Sequence, residues 1–206
     1  MSDNWTASDA YEAFMGRWSR RLAEKFVEWL DPEPGLSWLD VGCGTGALTA
    51  AVVASAAPAR VVGCDPTVTF VDHARRSVDA PQATFEVAGI DRLPRRDPGF
   101  DTVVSGLVLN FLPSPEEALR VMAAVLRPGG RVAAYVWDYG GRMEFLRIFW
   151  DEAVAMDPAA AALDEGPRFP ICRQGALAAA FSQAGLDRVR AGEISIRTNF
   201  SSFADF

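Results

Sequence analysis

The order of apolar and polar positions along this chain predicts strands and helices in alternation. Short apolar runs rich in β-branched or aromatic residues predict strands, and apolar positions that recur every three or four residues predict helices. Strands are predicted at Leu39–Val41, Arg60–Asp65, Ala83–Ala88, Phe100–Ser105, Arg131–Trp137 and Asp187–Thr198. Helices are predicted at Ser19–Leu30, Ala47–Ala57, Val68–Val78, Pro115–Leu126, Met143–Met156 and Gln174–Ala184.

Strands that alternate with helices predict an α/β fold: a doubly wound, Rossmann-like sheet with helices on both faces and four strand–helix units in a row. At 206 residues the chain fits a single domain. Within it we expect an N-terminal helical cover at 1–34 and a core at 35–138. A helical cap at 139–172 follows the fifth strand, and 173–206 supply the last helix and the sixth strand.

An acid and three alternating glycines, Asp40, Gly42, Gly44 and Gly46, end the first strand. Glycine is required where the backbone takes a positive φ or approaches a ligand closely. The helix that begins at Ala47 directs its unpaired N–H groups at this turn, so the stretch predicts a nucleotide-binding cradle. The G-x-G-x-x-A spacing also fits a dinucleotide, whereas Asp40 would repel a pyrophosphate and favours a ligand with positive charge.

The second strand also ends in an acid, Asp65, about 20 residues beyond the glycines. A carboxylate at this offset accepts hydrogen bonds from both ribose hydroxyls of a nucleotide or nucleoside. Pro66 cannot extend the strand and turns the chain into the next helix, so Pro66 and Thr67 are expected near the adenine. Without a ligand, Asp65 would only cap that helix.

Three segments resemble motifs of the class I S-adenosylmethionine-dependent methyltransferases, with a methyltransferase type 11-like domain. Leu39–Gly46 is similar to motif I, and Phe100–Ser105 is similar to motif IV, F-D-x-V-x-S. The run L-R-P-G-G-R-V from Leu126 is similar to the segment that precedes the family's fifth strand. The resemblance implies S-adenosylmethionine as cofactor and S-adenosylhomocysteine as its product.

The resemblance also assigns residues outside the glycine turn to the cofactor site. Ser105–Leu107 would contact the methionine part of the cofactor, Arg17 would pair with its carboxylate, and Tyr11 would close the pocket. The predicted cofactor-binding residues are Tyr11, Arg17, Asp40, Gly42, Cys43, Gly44, Gly46, Asp65, Pro66, Ile90, Asp91, Ser105, Gly106 and Leu107.

The loop after the third strand resembles the family's G-D-A-x-x-L-P adenine loop but departs from it, because Gly89 stands where the family has an acid. Either Asp91 or the backbone of Gly89 and Ile90 would then contact the adenine. Ligands of doubly wound sheets lie over the carboxyl ends of the strands. We therefore expect Asp40, Asp65, Asp91 and Ser105 to converge there.

Composition excludes several partners from this interpretation. The net charge of −7 argues against a nucleic-acid partner, because such binding rests on neutralising phosphates. The three cysteines have no C-x-x-C spacing, so neither disulfides nor a metal site is expected. The sequence has no signal peptide and no apolar run near the roughly 18 residues of a membrane span, which predicts a cytoplasmic protein with no membrane partner.

The resulting hypothesis is methyl transfer from a bound sulfonium to a small, partly apolar acceptor molecule. In-line positioning can supply roughly 7–11 kcal/mol of such a barrier, so no triad or metal set is needed. No catalytic residue is assigned: Asp138, Tyr139 and His73 are unassigned candidates for a base, and Asn110 is a polar residue able to orient the acceptor. The alternatives are a nicotinamide-dependent oxidoreductase and a non-catalytic Rossmann-like binding module.

The end of the chain departs from the family pattern, since the last antiparallel strand of its sheet has no counterpart here. Phe200, Phe203 and Phe206 are then expected to be exposed beside an unpaired sheet edge, which proteins generally avoid. We expect either that the natural chain continues past Phe206 or that a partner subunit, as in a homodimer, covers the open edge. The cap at 139–172 is a candidate substrate cap, with a simple packing helix as its alternative.

Overall fold

The computed structural model of this chain describes residues 16–200 and residue 202, and its five strands form one parallel sheet. The strands are β1 (Ser37–Val41), β2 (Arg60–Asp65), β3 (Ala83–Val87), β4 (Phe100–Gly106) and β5 (Leu126–Tyr135). Their order in the sheet is β3-β2-β1-β4-β5. This order and the flanking helices confirm the predicted α/β, Rossmann-like fold.

The chain divides into two compact units, the first formed by residues up to Pro94 together with those from Ile194 on. Its helices are α1 (Arg17–Leu30), α2 (Ala47–Ser55) and α3 (Val68–Ser77), and a 3-10 turn lies at Ile90–Arg92. Helix α1 is amphipathic and buries its apolar stripe, which includes Trp18, Leu22 and Phe26. Every residue of β1 is buried, as expected for a strand covered on both faces.

The second unit comprises Arg95–Glu193 and contains the parallel pair β4–β5. Its helices are α4 (Pro115–Ala123), α5 (Glu144–Met156), α6 (Glu165–Arg168) and α7 (Gln174–Gln183). Short 3-10 turns lie at Leu109–Phe111, Pro158–Ala162 and Pro170–Cys172. Helix α4 has proline at its first position and two acids in its first turn, which favour a helix start at this point.

Register places the two acidic strand ends side by side. Asp40 pairs with Gly63 and Val41 with Cys64 across β1 and β2, so Asp65 lies one residue beyond the end of its neighbour. The backbone N–H groups of Gly42 and Cys43 both donate to the Cys64 carbonyl, at 2.8 and 3.0 Å. The turn after β1 is therefore tied directly to the end of β2.

One predicted strand is absent from the structure. No strand forms within Asp187–Thr198, because the described residues 187–200 have no regular secondary structure. Instead, half-buried and exposed residues alternate from Ile194 to Phe200, and Phe200 packs edge-on against Trp18 of α1 with ring centroids 5.9 Å apart. Phe200 is thus half-buried rather than exposed, while Phe203 and Phe206 lie outside the described residues.

The other errors concern where elements begin and how they connect. Strand β5 starts at Leu126 and not at Arg131, since the run that includes Pro128 is already extended. Proline is tolerated there because β5 is an edge strand of this sheet. Only a 3-10 turn connects β3 to β4, so the four strand–helix units (β1–α2, β2–α3, β4–α4 and β5–α5) do not follow one another in an unbroken row as predicted.

None of the helices among the described residues is both long enough and apolar enough to cross a membrane.

Candidate functional site

The glycine turn between β1 and α2 leaves one backbone face open. Gly44 has φ +52°, and a Cβ built there would meet no atom within 4 Å, so a ligand could approach the peptide closely at this point. Gly46 serves packing instead. Its φ is +94°, and a Cβ there would lie 3.0 Å from a methyl of Val78 and 3.2 Å from Ala74. Glycine therefore leaves the backbone open at position 44, whereas at position 46 it avoids a collision with Val78 and Ala74.

Asp40 is fully buried at the end of β1. Its Oδ2 atom accepts a hydrogen bond of 2.7 Å from the Thr49 hydroxyl on α2. Its Oδ1 atom is also buried and has no hydrogen-bond partner among the described residues. The pKa of Asp40 is raised to about 7, chiefly by burial and to a lesser extent by the nearby charge of Asp65, and the Thr49 bond opposes this rise.

A buried carboxylate oxygen without a partner is costly to the folded protein. A positively charged ligand group or a donor N–H beside Oδ1 would remove that cost and would favour the ionised form of Asp40. Asp40 is therefore a candidate partner for a positively charged ligand group and not for a phosphate.

Asp65 is buried at the end of β2, but both of its oxygens have partners. Oδ2 accepts from the Gly44 N–H at 3.1 Å, and Oδ1 accepts from the Thr67 N–H at 2.8 Å. Burial raises the pKa of Asp65, and these backbone bonds oppose that rise. Each carboxylate oxygen has a second lone pair, so Asp65 could accept further hydrogen bonds from a ligand while it holds the glycine turn against α3.

The loop after β3 lies against Pro66. A Cβ built on Gly89 would be 3.8 Å from the Pro66 Cβ and 2.8 Å from Oδ1 of Asp91. Gly89 accepts a hydrogen bond from Arg92 N–H at 3.1 Å, which closes the 3-10 turn. The carboxylate of Asp91 thus folds back over Gly89, and Pro66 lies near the same glycine; their contact with an adenine stays a prediction.

Of the two N-terminal residues predicted to contact the cofactor, the structure describes Arg17 but not Tyr11. Arg17 begins α1 rather than preceding it, and its guanidinium lies over two aromatic rings, 4.6 Å from the centroid of Trp18 and 5.5 Å from that of Phe200. Tyr11 lies outside the described residues. The assignment of either residue to the cofactor stays a prediction.

The remaining predicted cofactor residues, Ser105–Leu107, belong to the second unit. Ser105 is buried near the end of β4. A Cβ on Gly106 would lie 2.5 Å from the Tyr135 hydroxyl oxygen, so glycine is needed for this ring to pack there. Leu107 has a positive φ of 62°, and its N–H donates to the Tyr135 carbonyl at 2.8 Å. A positive φ is uncommon for leucine, which marks this turn as constrained.

The candidate bases show no catalytic arrangement. Asp138 caps its own turn, because its Oδ2 accepts from the Arg142 N–H at 3.2 Å and its carbonyl accepts from the Met143 N–H at 3.2 Å. His73 is half-buried within α3. Tyr139 packs on Phe169 with ring centroids 5.7 Å apart. None of them is assigned a catalytic role.

Two of the cysteines, Cys43 and Cys64, are packed inside the first unit. Cys43 packs in a cluster with Val71, Ala74 and Phe85. Cys64 is fully buried, and burial raises the pKa of its thiol to about 12. Among the described residues no group of three or more His, Cys, Asp or Glu side chains is placed to hold a metal ion.

Sequence reasoning missed two residues of this region. Thr49 lies in an apolar helical run, where nothing in the pattern marks its hydroxyl as the partner of Asp40. Tyr135 ends β5 and contacts Gly106 only through a strand pairing that local patterns do not contain.

Comparison with known proteins finds similarity to methyltransferases. The sequence profile of a family described as a methyltransferase domain matches residues 39–134. Methyltransferase GfsG of Streptomyces halstedii is 29% identical over 182 residues, covering 86% of this chain and 62% of that protein. The ubiquinone biosynthesis O-methyltransferase of Xanthomonas campestris is 32% identical over 98 residues, covering 47% of this chain and 41% of that enzyme.

A solved structure agrees at the level of the fold. It is a chain in the complex between the Trm112 methyltransferase activator of Haloferax volcanii and a methyltransferase, with a TM-score of 0.61 and 22% identity, covering 95% of this chain and 85% of that one. This chain spans 62% and 41% of the lengths of the two curated relatives. Over residues 39–134 the chain is similar to the methyltransferase domain family, and its fold is that of the solved chain.

Proposed function

We propose that this chain binds S-adenosylmethionine in its first unit and takes part in methyl transfer to a small acceptor molecule. The observation that carries the proposal is Asp40, whose Oδ1 atom is buried at the strand end and has no hydrogen-bond partner in the described chain. An aminoacyl sulfonium brings positive charge and N–H donors to such an atom, whereas a dinucleotide brings phosphates.

The neighbouring groups fit the rest of the molecule. Asp65 has lone pairs left for two ribose hydroxyls, Gly44 leaves open backbone beside it, and Pro66 with Gly89–Asp91 offers a surface for the adenine. Gly42, Cys43, Gly46 and Ile90 belong to the same turns and complete the proposed set in this unit.

Two groups of residues extend the proposal beyond that set. Ser105–Leu107 of the second unit are proposed to contact the methionine part of the cofactor. Arg17 and Tyr11 are proposed to bind its carboxylate and to close over it, and the cation–π contacts of Arg17 with Trp18 and Phe200 support the first of these roles by restricting the guanidinium.

When bound, the cofactor supplies an electrophilic methyl group. The chain's own residues have the task of orientation: Asp40 neutralises positive charge in a dry environment, and Asp65 fixes the ribose. Such positioning can contribute roughly 7–11 kcal/mol to a two-substrate reaction. The acceptor is proposed to be small and partly apolar, with the segment at 139–172 as its cap, in a cytoplasmic protein that forms a homodimer across its open sheet edge.

The proposal is tested by thermal unfolding with S-adenosylhomocysteine or NAD⁺ at the same concentration. Because a ligand that binds only the folded state raises the melting temperature, S-adenosylhomocysteine should raise it by several degrees and NAD⁺ should leave it unchanged. The reverse order would support a nicotinamide-dependent enzyme. No shift with either compound would support a binding module without catalysis.

A further inference from the structure

A buried amide on the 3-10 turn after β4 has no partner. Asn110 is 8% exposed, and its Nδ2 atom is completely buried without a hydrogen bond in the described residues. Both neighbours in the turn have ordinary roles, since Leu109 is fully buried in the core and Phe111 packs on another ring. Buried polar groups in native proteins are almost always paired, so an unpaired amide needs an explanation.

The surroundings of this turn within the second unit are aromatic. Phe111 meets Phe169 edge to face, with ring centroids 5.5 Å apart, and Tyr139 packs on Phe169 at 5.7 Å. Phe111 is still 44% exposed, so one side of this aromatic cluster (Phe111, Tyr139 and Phe169) is open. Phe111 follows Asn110 directly in the 3-10 turn at Leu109–Phe111, and that turn contacts the 3-10 turn at Pro170–Cys172, which follows Phe169.

Hydrogen bonds hold the cap segment (residues 139–172) together within the second unit. The Arg147 guanidinium of α5 makes two hydrogen bonds to the Asp164 carboxylate, one of them at 2.9 Å. Asp164 Oδ1 also accepts from the Gly166 N–H at 2.8 Å, which starts α6. The 3-10 turn at Pro170–Cys172 contacts the turn that contains Asn110. Phe169 is therefore presented from a fixed support rather than from a loose loop.

We propose that Asn110 is a substrate-binding residue: its Nδ2–H donates to a carbonyl oxygen on an aromatic acceptor whose ring packs against Phe111 and Phe169. The inference rests on the proposed function, which it deepens by naming the class of acceptor. An aromatic ring of the acceptor would pack against the exposed side of the cluster. A carbonyl oxygen satisfies the amide donor, which is otherwise left without a hydrogen bond.

The proposal distinguishes a substrate-binding amide from a structural one. A structural asparagine stabilises the fold, and its loss lowers the melting temperature. An amide that is unpaired until substrate binds costs the free protein energy, so replacement by an apolar side chain of similar size should leave the melting temperature equal or higher. Asn110→Leu separates the two cases, and Asn199→Leu at an exposed asparagine is the matched control.

The binding test uses protein saturated with S-adenosylhomocysteine and a pair of probes, 4-hydroxyacetophenone and 4-ethylphenol. These differ by one carbonyl at nearly constant size. By titration calorimetry the unaltered protein should bind the ketone at least tenfold more tightly, because a buried donor discriminates strongly against a ligand that leaves it unpaired. Asn110→Leu should reduce that preference to less than twofold, with unchanged affinity for S-adenosylhomocysteine, and Asn199→Leu should retain it.

Two results would overturn the inference alone: S-adenosylhomocysteine binds but the probes show no preference, including no binding of either, or Asn110→Leu melts several degrees below the unaltered protein. Failure of S-adenosylhomocysteine to bind the unaltered protein would instead reject the proposed function on which the inference rests.

Discussion

At the residue scale, two carboxylates on neighbouring strands are compensated to different extents. Asp65 accepts two backbone N–H bonds, whereas Asp40 accepts one hydroxyl bond and keeps one buried oxygen unpaired. Asp65 is therefore a structural clamp on the glycine turn that has spare acceptor capacity. The unpaired oxygen of Asp40 has no hydrogen-bond donor beside it among the described residues. The proposed ligand would supply a donor and a positive charge.

Replacing Asp65 with alanine should weaken S-adenosylhomocysteine binding by about 2 kcal/mol, close to thirtyfold, because charge-assisted bonds to two ribose hydroxyls are lost. Titration calorimetry measures the change. Asp72→Ala is the control, since Asp72 is half-exposed and pairs with Arg75 on α3. Equal affinity in the unaltered protein and Asp65→Ala would remove Asp65 from the site.

The ionisation of Asp40 should be visible in the pH dependence of stability. Its pKa rises from an unfolded value near 3.9 to about 7 in the folded protein, so the folded state binds the proton more tightly. Between those values the free energy of unfolding should fall as pH rises, by up to about 4 kcal/mol from this group. It should be constant below the lower value and above the upper one.

Urea unfolding at pH 5 and pH 8, for the unaltered protein and for Asp40→Asn, isolates this contribution. The variant cannot ionise, so its stability relative to the unaltered protein should increase from pH 5 to pH 8. Parallel pH profiles for the two proteins would show that Asp40 does not titrate in this range.

The two acids could be predicted from the sequence because each ends an apolar run next to glycine or proline. The hydroxyl of Thr49 and the ring of Tyr135 could not, because their contacts depend on the packing of a helix and on the pairing of two strands. Asn110 was recognisable as polar, but only its burial and missing partner give it a specific chemistry.

At the element scale, Gly46 joins the glycine turn to α3. Gly46→Ala should lower stability by about 2 kcal/mol, because alanine disfavours a positive φ and its Cβ would press on Val78. Gly175→Ala is the matched control: that glycine lies in the first turn of α7 with no atom within 4 Å of a built Cβ, and alanine should be neutral or stabilise by up to about 1 kcal/mol. Thermal unfolding of both variants decides, and equal losses would contradict the packing role of Gly46.

The cap segment depends on one ion pair. Asp164→Ala should destabilise it by roughly 1–3 kcal/mol, because the pair with Arg147 is mostly buried and its loss leaves a guanidinium without its partner. The measurement is the rate of trypsin cleavage within 147–168, which should rise. Glu117→Ala breaks the exposed pair with Arg120 and should change neither cleavage nor stability by a measurable amount; similar rates in both variants would contradict the clamp.

Elements with strong local signals were predicted well, and those decided by long-range contacts were not. Strand β2 was predicted with its observed limits, because an apolar run ends at Asp65–Pro66. The tail at 187–200 has the alternation of a strand, but Phe200 packs on Trp18 of α1, and the segment gains no strand partner within the described residues. The extended start of β5 was not predicted, because Pro128 usually indicates that a strand does not include that position. A strand at the edge of a sheet tolerates proline.

At the scale of the whole molecule, the α/β, Rossmann-like fold followed from the alternation of elements, and the resemblance to methyltransferases followed from three short motifs, whereas the order of the strands came only from the structure. The single-domain organisation, the homodimer and the cytoplasmic location stay predictions, as does the role of Tyr11, which lies outside the described residues. The central claim is narrower: the strand-end acids of the first unit hold one nucleoside that carries a cationic group.

A crystal structure of the chain grown with S-adenosylhomocysteine tests that claim most directly. The account predicts the ribose hydroxyls within hydrogen-bond distance of the Asp65 carboxylate, and the ligand's amino group near the unpaired oxygen of Asp40. A ligand bound elsewhere, with Asp40 still without a partner and Asp65 in contact only with Gly44 and Thr67, would contradict it.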